Sequence, residues 1–487
     1  MGHVAACSVV GVLSLLAGCA VGPDFRESES PTVVGYAPGP PLETTAASAT
    51  LGGEAQHLRS GEDIPGQWWT LFRSPALDAL VRDALAANPD LQAAQAALRQ
   101  AQESVLAQDG ALYPSVIAQG EVTREKLSGA EFGQARFAPI LTVANASVNV
   151  GYTPDVFGGT RRAIEAAEAS AEYQRFQLEA TYLTLTANLV TPEVQEASLR
   201  GQITATNDII ADEVRQLDVV SRQFELGAAT QADVLTQSSE LAQTRATLPG
   251  LEKQEAQLRT QINALAGRLP SQEVDQSFDL ASLTLPIELP VSLPSRLVRQ
   301  RPDIRAAEAA LHNANAQLGV AIAAQFPQFD LTASWGSTAL GAGNLFSPGT
   351  GVWSLAAGLT QPLFEGGRLE HQRKAAAAAL DQAWAQYRSA VLTAFRNVAD
   401  ALHALEVDAL ALRAELTAER AAAGSLRLAR QQYALGAVNY LILLNAERTY
   451  EQAHIALVQA QATRFADTAA LFQALGGGWW NRADVKG

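Results

Sequence analysis

Several residue types are scarce in this chain of 487 residues, and each scarcity excludes a class of site. The two cysteines, Cys7 and Cys19, both lie at the extreme N-terminus, so the rest of the chain has no disulfide framework and no catalytic thiol. The six histidines are too widely spaced to share one helix face, and Met1 is the only methionine. No metal site is therefore predicted, and soft thioether ligands for a metal-efflux role are absent.

Basic residues are outnumbered, since 35 Lys and Arg face 50 Asp and Glu, for a formal net charge of −15. This balance argues against nucleic acid as a partner, because phosphates require a basic surface. No later segment has about 18 consecutive apolar residues, so no transmembrane helix is predicted. No nucleophile elbow, phosphate-binding loop or isolated carboxylate pair occurs, so we predict no catalytic residues, no enzyme activity and no cofactor. Asp and Glu recur at helical spacing among Ala and Gln, which predicts solvated helix faces.

The chain contains a large internal repeat. Residues 89–98 (PDLQAAQAAL) return as 302–311 (PDIRAAEAAL), and residues 224–228 (FELGA) return as 433–437 (YALGA). The repeating unit of about 200 residues is far longer than a solenoid repeat. We therefore predict a duplicated half-molecule with pseudo-twofold symmetry.

The N-terminus reads as a targeting segment covering residues 1–18. Residues 9–17 are mostly apolar but too short to span a bilayer, and they end in Leu-Ala-Gly-Cys at 16–19. This ending resembles the bacterial lipobox, in which the cysteine carries N-acyl and S-diacylglycerol lipid. We expect Cys19 to be the lipidated mature N-terminus, and Ala20 after it favours the outer membrane. A plain secretory signal that contains a cysteine is the alternative.

Composition shifts divide the rest of the chain. Residues 19–67 are rich in proline and glycine and predict an extended arm or linker. Ser74-Pro75 predicts a helix start, with a break at Asn88-Pro89. The predicted segments are a first repeat at 68–280, a second repeat at 281–475 and a C-terminal tail at 476–487.

Four segments alternate apolar and polar residues with period two: 115–122, 144–153, 329–336 and 353–360. They predict two β-hairpins, at 113–153 and 326–361, each with a loop of the length expected on an extracellular side. Any one segment fits an ordinary half-buried strand equally well, but two matched pairs favour membrane strands. Four strands cannot close a barrel, and open edges are not tolerated in lipid. We therefore expect three chains to share twelve strands.

The remaining helices are predicted to be very long. From Leu380 to Leu405, large apolar residues recur every three or four positions. This near-heptad pattern predicts an apolar seam that packs against another helix as in a coiled coil. Residues 366–435 would reach roughly 100 Å as one helix. Gly436 then marks a tip from which the chain returns, and Gly227 does the same after a helix beginning near Arg161.

These features together resemble the TolC-like outer-membrane efflux factors, in the lipoprotein branch often labelled NodT. The resemblance covers nearly all of residues 19–475. The motifs that carry it are the lipobox, Trp68-Trp69, PDIRAAE at 302–308, QFP at 325–327 and QPLFEGGR at 361–368.

The resemblance implies a fold that is mainly α with membrane β. Three chains would form an α-helical barrel continuous with a shared twelve-stranded outer-membrane β-barrel. It further implies a passive exit duct for drugs and amphiphilic small molecules. The implied partners are outer-membrane lipid, a periplasmic adaptor (membrane fusion protein) and an inner-membrane pump of the resistance-nodulation-division type. Gly227 and Gly436 match the tips that dock the adaptor.

Two residues are gate candidates by the same resemblance. Many relatives carry an acidic residue nine positions after the second tip glycine, where this chain has Asn445, while the first tip keeps Asp233. A ring of three acidic residues favours cations, so we expect a polar gate in which Asp233 is the main acidic contributor. Alternatively, Asn445 packs against a neighbouring helix.

Two other functions remain open on the sequence. A type I protein secretion duct shares every feature above. A non-transport periplasmic coiled-coil structural lipoprotein explains the helices but not the paired alternating strands.

Overall fold

The computed structural model describes residues 20–33, 35–128, 140–272 and 279–484. Long helices dominate this part of the chain. The helices are α1 (Pro75–Ala87), α2 (Pro89–Asp109), α3 (Gly159–Glu225), α4 (Gln231–Leu265), α5 (Pro294–Gln300), α6 (Pro302–Ala323), α7 (Arg368–Ala434) and α8 (Tyr440–Ala474). The strands are β1 (His57–Ser60), β2 (Ser115–Lys126), β3 (Ile140–Tyr152), β4 (Glu288–Val291), β5 (Gln328–Leu340) and β6 (Gly351–Thr360).

The predicted duplication is confirmed element by element. Helices α3 and α7 both have 67 residues, and α4 and α8 both have 35. The halves differ in proline, because α3 contains Pro192 and α4 contains Pro249, whereas α7 and α8 contain none. An internal proline removes one backbone hydrogen bond, so the first half carries two weak points that the second lacks.

Local capping chemistry sets the predicted helix boundaries near residue 75. The Ser74 hydroxyl accepts a hydrogen bond from the Leu77 N–H at 3.3 Å, and Pro75 occupies the first helical position. The Asn88 side chain accepts from the Leu91 N–H at 3.0 Å and donates to the Leu265 carbonyl at 2.8 Å. Asn88 therefore both caps α2 and ties it to the end of α4.

The two predicted hairpins form one four-stranded antiparallel sheet in the order β2-β3-β5-β6. The strands extend further than the alternating pattern indicated, since β2 continues to Lys126 and β3 already begins at Ile140. The second repeat pairs with the first through β3 and β5, where Val148 lies opposite Trp335.

A second, small sheet was not predicted. Strand β1, inside the proline-rich arm, pairs in parallel with β4, and His57 lies opposite Glu288. The arm therefore contributes a strand to the folded structure instead of serving only as a linker.

Contacts divide the chain into two compact units, and each unit takes segments from both repeats. One unit consists of residues 20–28, 97–174 and 307–387 and contains the four-stranded sheet. The other consists of residues 29–96, 175–306 and 388–484 and contains the paired long helices. In this second unit an aromatic core joins the 3-10 helix Trp68–Phe72 to α8, with Trp68 and Phe472 ring centroids 5.6 Å apart.

The predicted seam of α7 is partly buried. Tyr387, Val398 and Leu405 are at most 4% exposed, whereas Trp384 is 44% exposed in the single chain. Within the described ranges, no helix combines the length and apolarity needed to cross a membrane.

Candidate functional site

One face of the four-stranded sheet is apolar from edge to edge. The strand register aligns Val148, Trp335 and Trp353 on this face. Trp335 is 72% exposed and Trp353 is 78% exposed. Further members of this face are Val116, Val122, Val150, Leu331, Leu355 and Leu359. A contiguous exposed apolar face of this size marks contact with lipid or with another protein.

The opposite face of the same sheet is polar. Asn149, Ser334 and Ser354 align across β3, β5 and β6, and the Ser334 and Ser354 hydroxyls hydrogen bond at 2.8 Å. Gln119, Asn145, Ser147, Asp330 and Thr332 lie on this face as well. The predicted alternation is confirmed, and it gives a sheet with one apolar and one polar surface.

Both outer edges of this sheet lack a partner strand among the described residues. Strand β2 pairs only with β3, and β6 pairs only with β5. Each edge therefore presents a row of backbone N–H and C=O groups that a strand of another chain could satisfy.

The two predicted tips have the same backbone geometry. Gly227 has φ +74° and Gly436 has φ +67°, with open space where a side chain would stand. The N–H of Ala228 bonds the Gln223 carbonyl at 2.7 Å, and the N–H of Ala437 bonds the Gln432 carbonyl at 2.8 Å. Glycine is required here for its left-handed backbone, not for space.

The structure packs the two tips against one another. The Tyr433 hydroxyl of α7 donates to the Gln223 side-chain oxygen of α3 at 2.8 Å. An apolar cluster joins Val220, Tyr440 and Leu443, with Val234 of α4 packed on it. Leu226 and Leu435, beside the two glycines, remain 84% and 83% exposed.

The gate candidate Asp233 occupies a capping position. Its carboxylate accepts hydrogen bonds from the Thr230 N–H and hydroxyl at 2.8 and 2.7 Å, and the Asp233 N–H donates to the Thr230 hydroxyl. This is a reciprocal capping box at the start of α4. Burial and the nearby Asp233 carboxylate together raise the pKa of the Tyr433 hydroxyl.

The other gate candidate, Asn445, lies in the second turn of α8 and is exposed in the single chain. Its neighbours along the helix, Leu444 and Ala446, are buried. The side chain therefore points away from the packed interior of its own chain, which leaves the predicted gate position accessible.

The prediction that Asp and Glu lie on solvated faces was wrong for several glutamates. Glu193, Glu213, Glu240 and Glu447 are at most 7% exposed. Burial, with repulsion from Glu196, raises the pKa of Glu193 to about 8. Helical spacing could not identify these residues, since a face packed on other helices has the same period as a solvated one.

The lipidation candidate Cys19 lies outside the described residues. The segment that follows it is bound to the sheet-containing unit by Arg162, which is 5% exposed. The Arg162 guanidinium donates to the Asp24 carboxylate at 2.7 Å and to the Val21 carbonyl at 3.2 Å. Phe25 stacks on the His312 ring with centroids 4.2 Å apart.

Comparison with known proteins gives matches over both repeats. A family profile described as "Outer membrane efflux protein" matches residues 80–268 and 293–477. The pyoverdine export outer membrane protein OpmQ of Pseudomonas aeruginosa is 34% identical over 425 residues, covering 85% of this chain and 87% of that protein. The toluene efflux pump outer membrane protein TtgC of Pseudomonas putida is 28% identical over 469 residues, covering 96% and 94%. The solved structure of the outer-membrane channel OprN matches with a TM-score of 0.85 at 27% identity, covering 95% of this chain and 100% of that one.

Proposed function

Because this chain belongs to the outer membrane efflux protein family, we propose that it is the exit duct of a tripartite system that expels small amphiphilic molecules. An inner-membrane pump, of the resistance-nodulation-division type, supplies the energy, and a periplasmic adaptor joins pump and duct. The duct itself is passive.

The observation that carries this proposal is the two-faced sheet, whose two edges have no partner strand within the described part of the chain. Its apolar face, with Trp335 and Trp353, suits the lipid of the outer membrane, and its polar face suits a water-filled lumen. At an edge left open in lipid, the backbone N–H and C=O groups would have no hydrogen-bond partners. Three chains, contributing four strands each, close the sheet into one twelve-stranded barrel and remove every edge.

The hairpin tips support docking of the adaptor. Leu226 and Leu435 are exposed beside turns whose backbone is fixed by Gly227 and Gly436. Exposed apolar side chains on a well-defined turn provide contact area at little cost in conformational entropy.

The names of the relatives favour small molecules over proteins as substrates. One relative is named for pyoverdine export and another for toluene efflux. These names favour the efflux duct over the type I protein secretion duct. The paired strands of the sheet argue against a purely structural coiled-coil lipoprotein.

We propose in addition that Cys19 carries N-acyl and S-diacylglycerol lipid. The contacts of Arg162 with Asp24 and Val21 hold the adjoining segment in place, which is consistent with an anchor at this end. Mass spectrometry of the mature protein should detect a lipid-modified Cys19. An unmodified N-terminus at another residue would exclude this proposal.

The experiment that tests the duct is deletion of the gene in its own host. Cells without the protein should accumulate an amphiphilic fluorescent dye, and the wild-type gene should restore efflux. Affinity purification from the complemented, cross-linked cells should recover an adaptor and an inner-membrane pump.

The pattern of secreted proteins serves as the control in the same strains. The efflux proposal expects this pattern to be unchanged by the deletion. Loss of a secreted protein with unchanged dye accumulation would instead favour the type I secretion duct.

A further inference from the structure

Three carboxylates, two of them buried and one partly buried, meet within the packed long helices. Glu213 of α3, Glu240 of α4 and Glu451 of α8 each offer an oxygen atom, and these three oxygens all lie within 4.8 Å of one another. Glu213 is 3% exposed and Glu240 is 6% exposed. Burying carboxylates this close together is unfavourable unless a positive charge or protons compensate them.

Hydrogen bonding leaves part of this cluster unsatisfied. The Glu213 Oε1 atom accepts from the Thr244 hydroxyl at 2.9 Å, but Glu213 Oε2 is fully buried and has no hydrogen-bond partner. Glu447, which is 7% exposed, likewise has an unpartnered Oε2 atom. Both side chains line a cavity of about 150 Å³. An unpartnered buried carboxylate oxygen that faces a cavity indicates a missing donor or cation.

The charges around this cavity are strongly acidic. Its lining includes the carboxylates of Asp208, Asp212, Glu213, Glu447 and Glu451, together with one guanidinium and one imidazole, from Arg430 and His454. Arg430 is already shared between Asp212, at 3.0 Å, and Glu447, at 3.6 Å. The Arg430 side chain therefore does not neutralise Glu213 or Glu451.

Two further guanidinium groups lie near the cluster. Arg448 is paired with Glu240, and both Arg448 and Arg245 act on Glu213 through space without a described ion pair to it. The Arg448 guanidinium forms a two-point ion pair with both Glu240 oxygens. Among the described ion pairs, Glu240 is the one member of the cluster with a partner, and neither Glu213 nor Glu451 forms a direct pair.

We propose that Glu213, Glu240 and Glu451 bind a calcium ion that links the two helical hairpins of the chain. Ca²⁺ takes oxygen ligands at about 2.3–2.6 Å, so two ligands on opposite sides of the ion lie at most about 5 Å apart, which accommodates the observed spacing. Mg²⁺ requires about 2.0–2.1 Å and fits this spacing less well. The ion would join α3 and α4 of the first hairpin to α8 of the second.

Isothermal titration of the whole detergent-purified protein, stripped with EDTA, tests the site with CaCl₂ as the probe. We expect one saturable Ca²⁺ per chain and weaker binding of MgCl₂. Glu213→Gln and Glu451→Gln should each weaken Ca²⁺ binding by at least about tenfold, since ligand charge sets calcium affinity. Glu252→Gln, at an exposed position of α4, is the matched control and should bind like the wild type.

Arg448→Gln gives a readout that a purely structural ion pair would not produce. Removing the competing guanidinium frees Glu240, so Ca²⁺ should bind more tightly and should raise the melting temperature more than in the wild type. If Glu213→Gln fails to assemble, Glu451→Gln and Arg448→Gln still decide the question, because Glu451 is only partly buried.

Three results would overturn the proposal. One is no saturable Ca²⁺ binding by the wild type. Another is equal Ca²⁺ affinity in the wild type and both glutamate variants. The third is a wild-type melting temperature that added CaCl₂ leaves unchanged, since a cation bound to the folded chain must raise it.

Discussion

At the scale of single residues, Glu193 links stability to pH. Its folded pKa is raised to about 8 by burial and by repulsion from Glu196, whereas a glutamate in an unfolded chain titrates near pH 4.3. The folded chain therefore holds a proton that the unfolded chain releases between these values. The resulting stabilisation is complete below about pH 4 and is lost as the pH rises through about 8.

Glu193→Gln should remove this pH dependence. Relative to the wild type, the variant should gain up to about 4 kcal/mol of stability between pH 5 and pH 9, since the whole pKa shift corresponds to about 5 kcal/mol and about 1 kcal/mol of it is already lost at pH 5. Thermal unfolding midpoints of the purified protein, measured from pH 5 to pH 9, check this result. Glu252→Gln is the control, and parallel curves for wild type and Glu193→Gln would contradict the expected linkage.

Asp233 has two possible roles, and its hydrogen bonds allow them to be separated. Asp233→Asn removes both the charge and part of the capping box, while Thr230→Ala removes the cap but keeps the charge. If Asp233 contributes a gate charge, cation selectivity should fall in Asp233→Asn, stay constant in Thr230→Ala and rise in Asn445→Asp. Reversal potentials in planar bilayers measure all three.

An equal loss of selectivity in Thr230→Ala would assign the effect to the hairpin structure instead of the charge. Unchanged reversal potentials in both Asp233→Asn and Asn445→Asp would remove both residues from the gate. Loss of the cap alone should lower stability by about 0.5–2 kcal/mol.

Residue-level prediction succeeded where the chemistry is local. The tip glycines and the Ser74 cap depend on neighbouring backbone groups, so a short stretch of sequence is enough to predict them. The buried carboxylates could not be found in this way, because their partners are distant in sequence. Glu240, for example, is paired with Arg448 of another helix.

At the scale of elements, period two predicted the four strands because each alternates between an apolar and a polar face. It gave no signal for β1, because this strand has only four residues, two on each face, and lies in a segment rich in proline and glycine. Nor did it indicate the strand ends, where Arg124 and Lys126 continue the β2 ladder with polar side chains.

Adjacent positions of β6 test the assignment of the two faces. Trp353→Arg places a charge on the apolar face and should cost about 2–4 kcal/mol if that face contacts the middle of the bilayer. Ser354→Arg places the same charge on the polar face and should be tolerated. The amount of protein in purified outer membranes, measured by immunoblot, should fall only for Trp353→Arg. Equal loss for both variants would contradict the assignment.

At the scale of the whole molecule, the open sheet edges predict a trimer closed by β6 of one chain and β2 of the next. Ser115→Cys in β2 and Thr360→Cys in β6, combined in one chain, should give covalent trimers on oxidation. The chain has no cysteine after Cys19, so a disulfide between these strands on a non-reducing gel must join the two introduced cysteines and therefore reports the contact of β6 with β2. Each single variant should remain unlinked.

The control pair places both cysteines within one chain. Asn149 and Ser334 are register partners of β3 and β5, so Asn149→Cys with Ser334→Cys should give only monomers on a gel. Oxidised monomers from the edge pair, with no higher species, would exclude the shared closure.

The duplication was visible in the sequence, but the two compact units were not. Each repeat contributes to both units, since α3 and α7 pass from one unit to the other within a single helix. A change in composition reveals a domain boundary only where a linker separates the domains. Helices α3 and α7 run through the boundary as continuous helices of 67 residues, so the sequence shows no linker there.

The parallel pairing of β1 with β4 has a consequence for the order in which the exported chain completes its fold. The chain emerges N-terminus first, so Leu58 is outside long before Leu289, its partner about 230 residues later, has left the cytoplasm. During that interval β1 has only its local hydrogen bonds to the preceding arm, such as that from the Leu58 N–H to the Glu43 carbonyl at 2.9 Å. The edge that later pairs with β4 stays open to other extended chains. The shortness of β1 and its Arg59 side chain limit that hazard. The small sheet closes only after the whole first repeat has been delivered, so it forms when the second repeat begins to emerge.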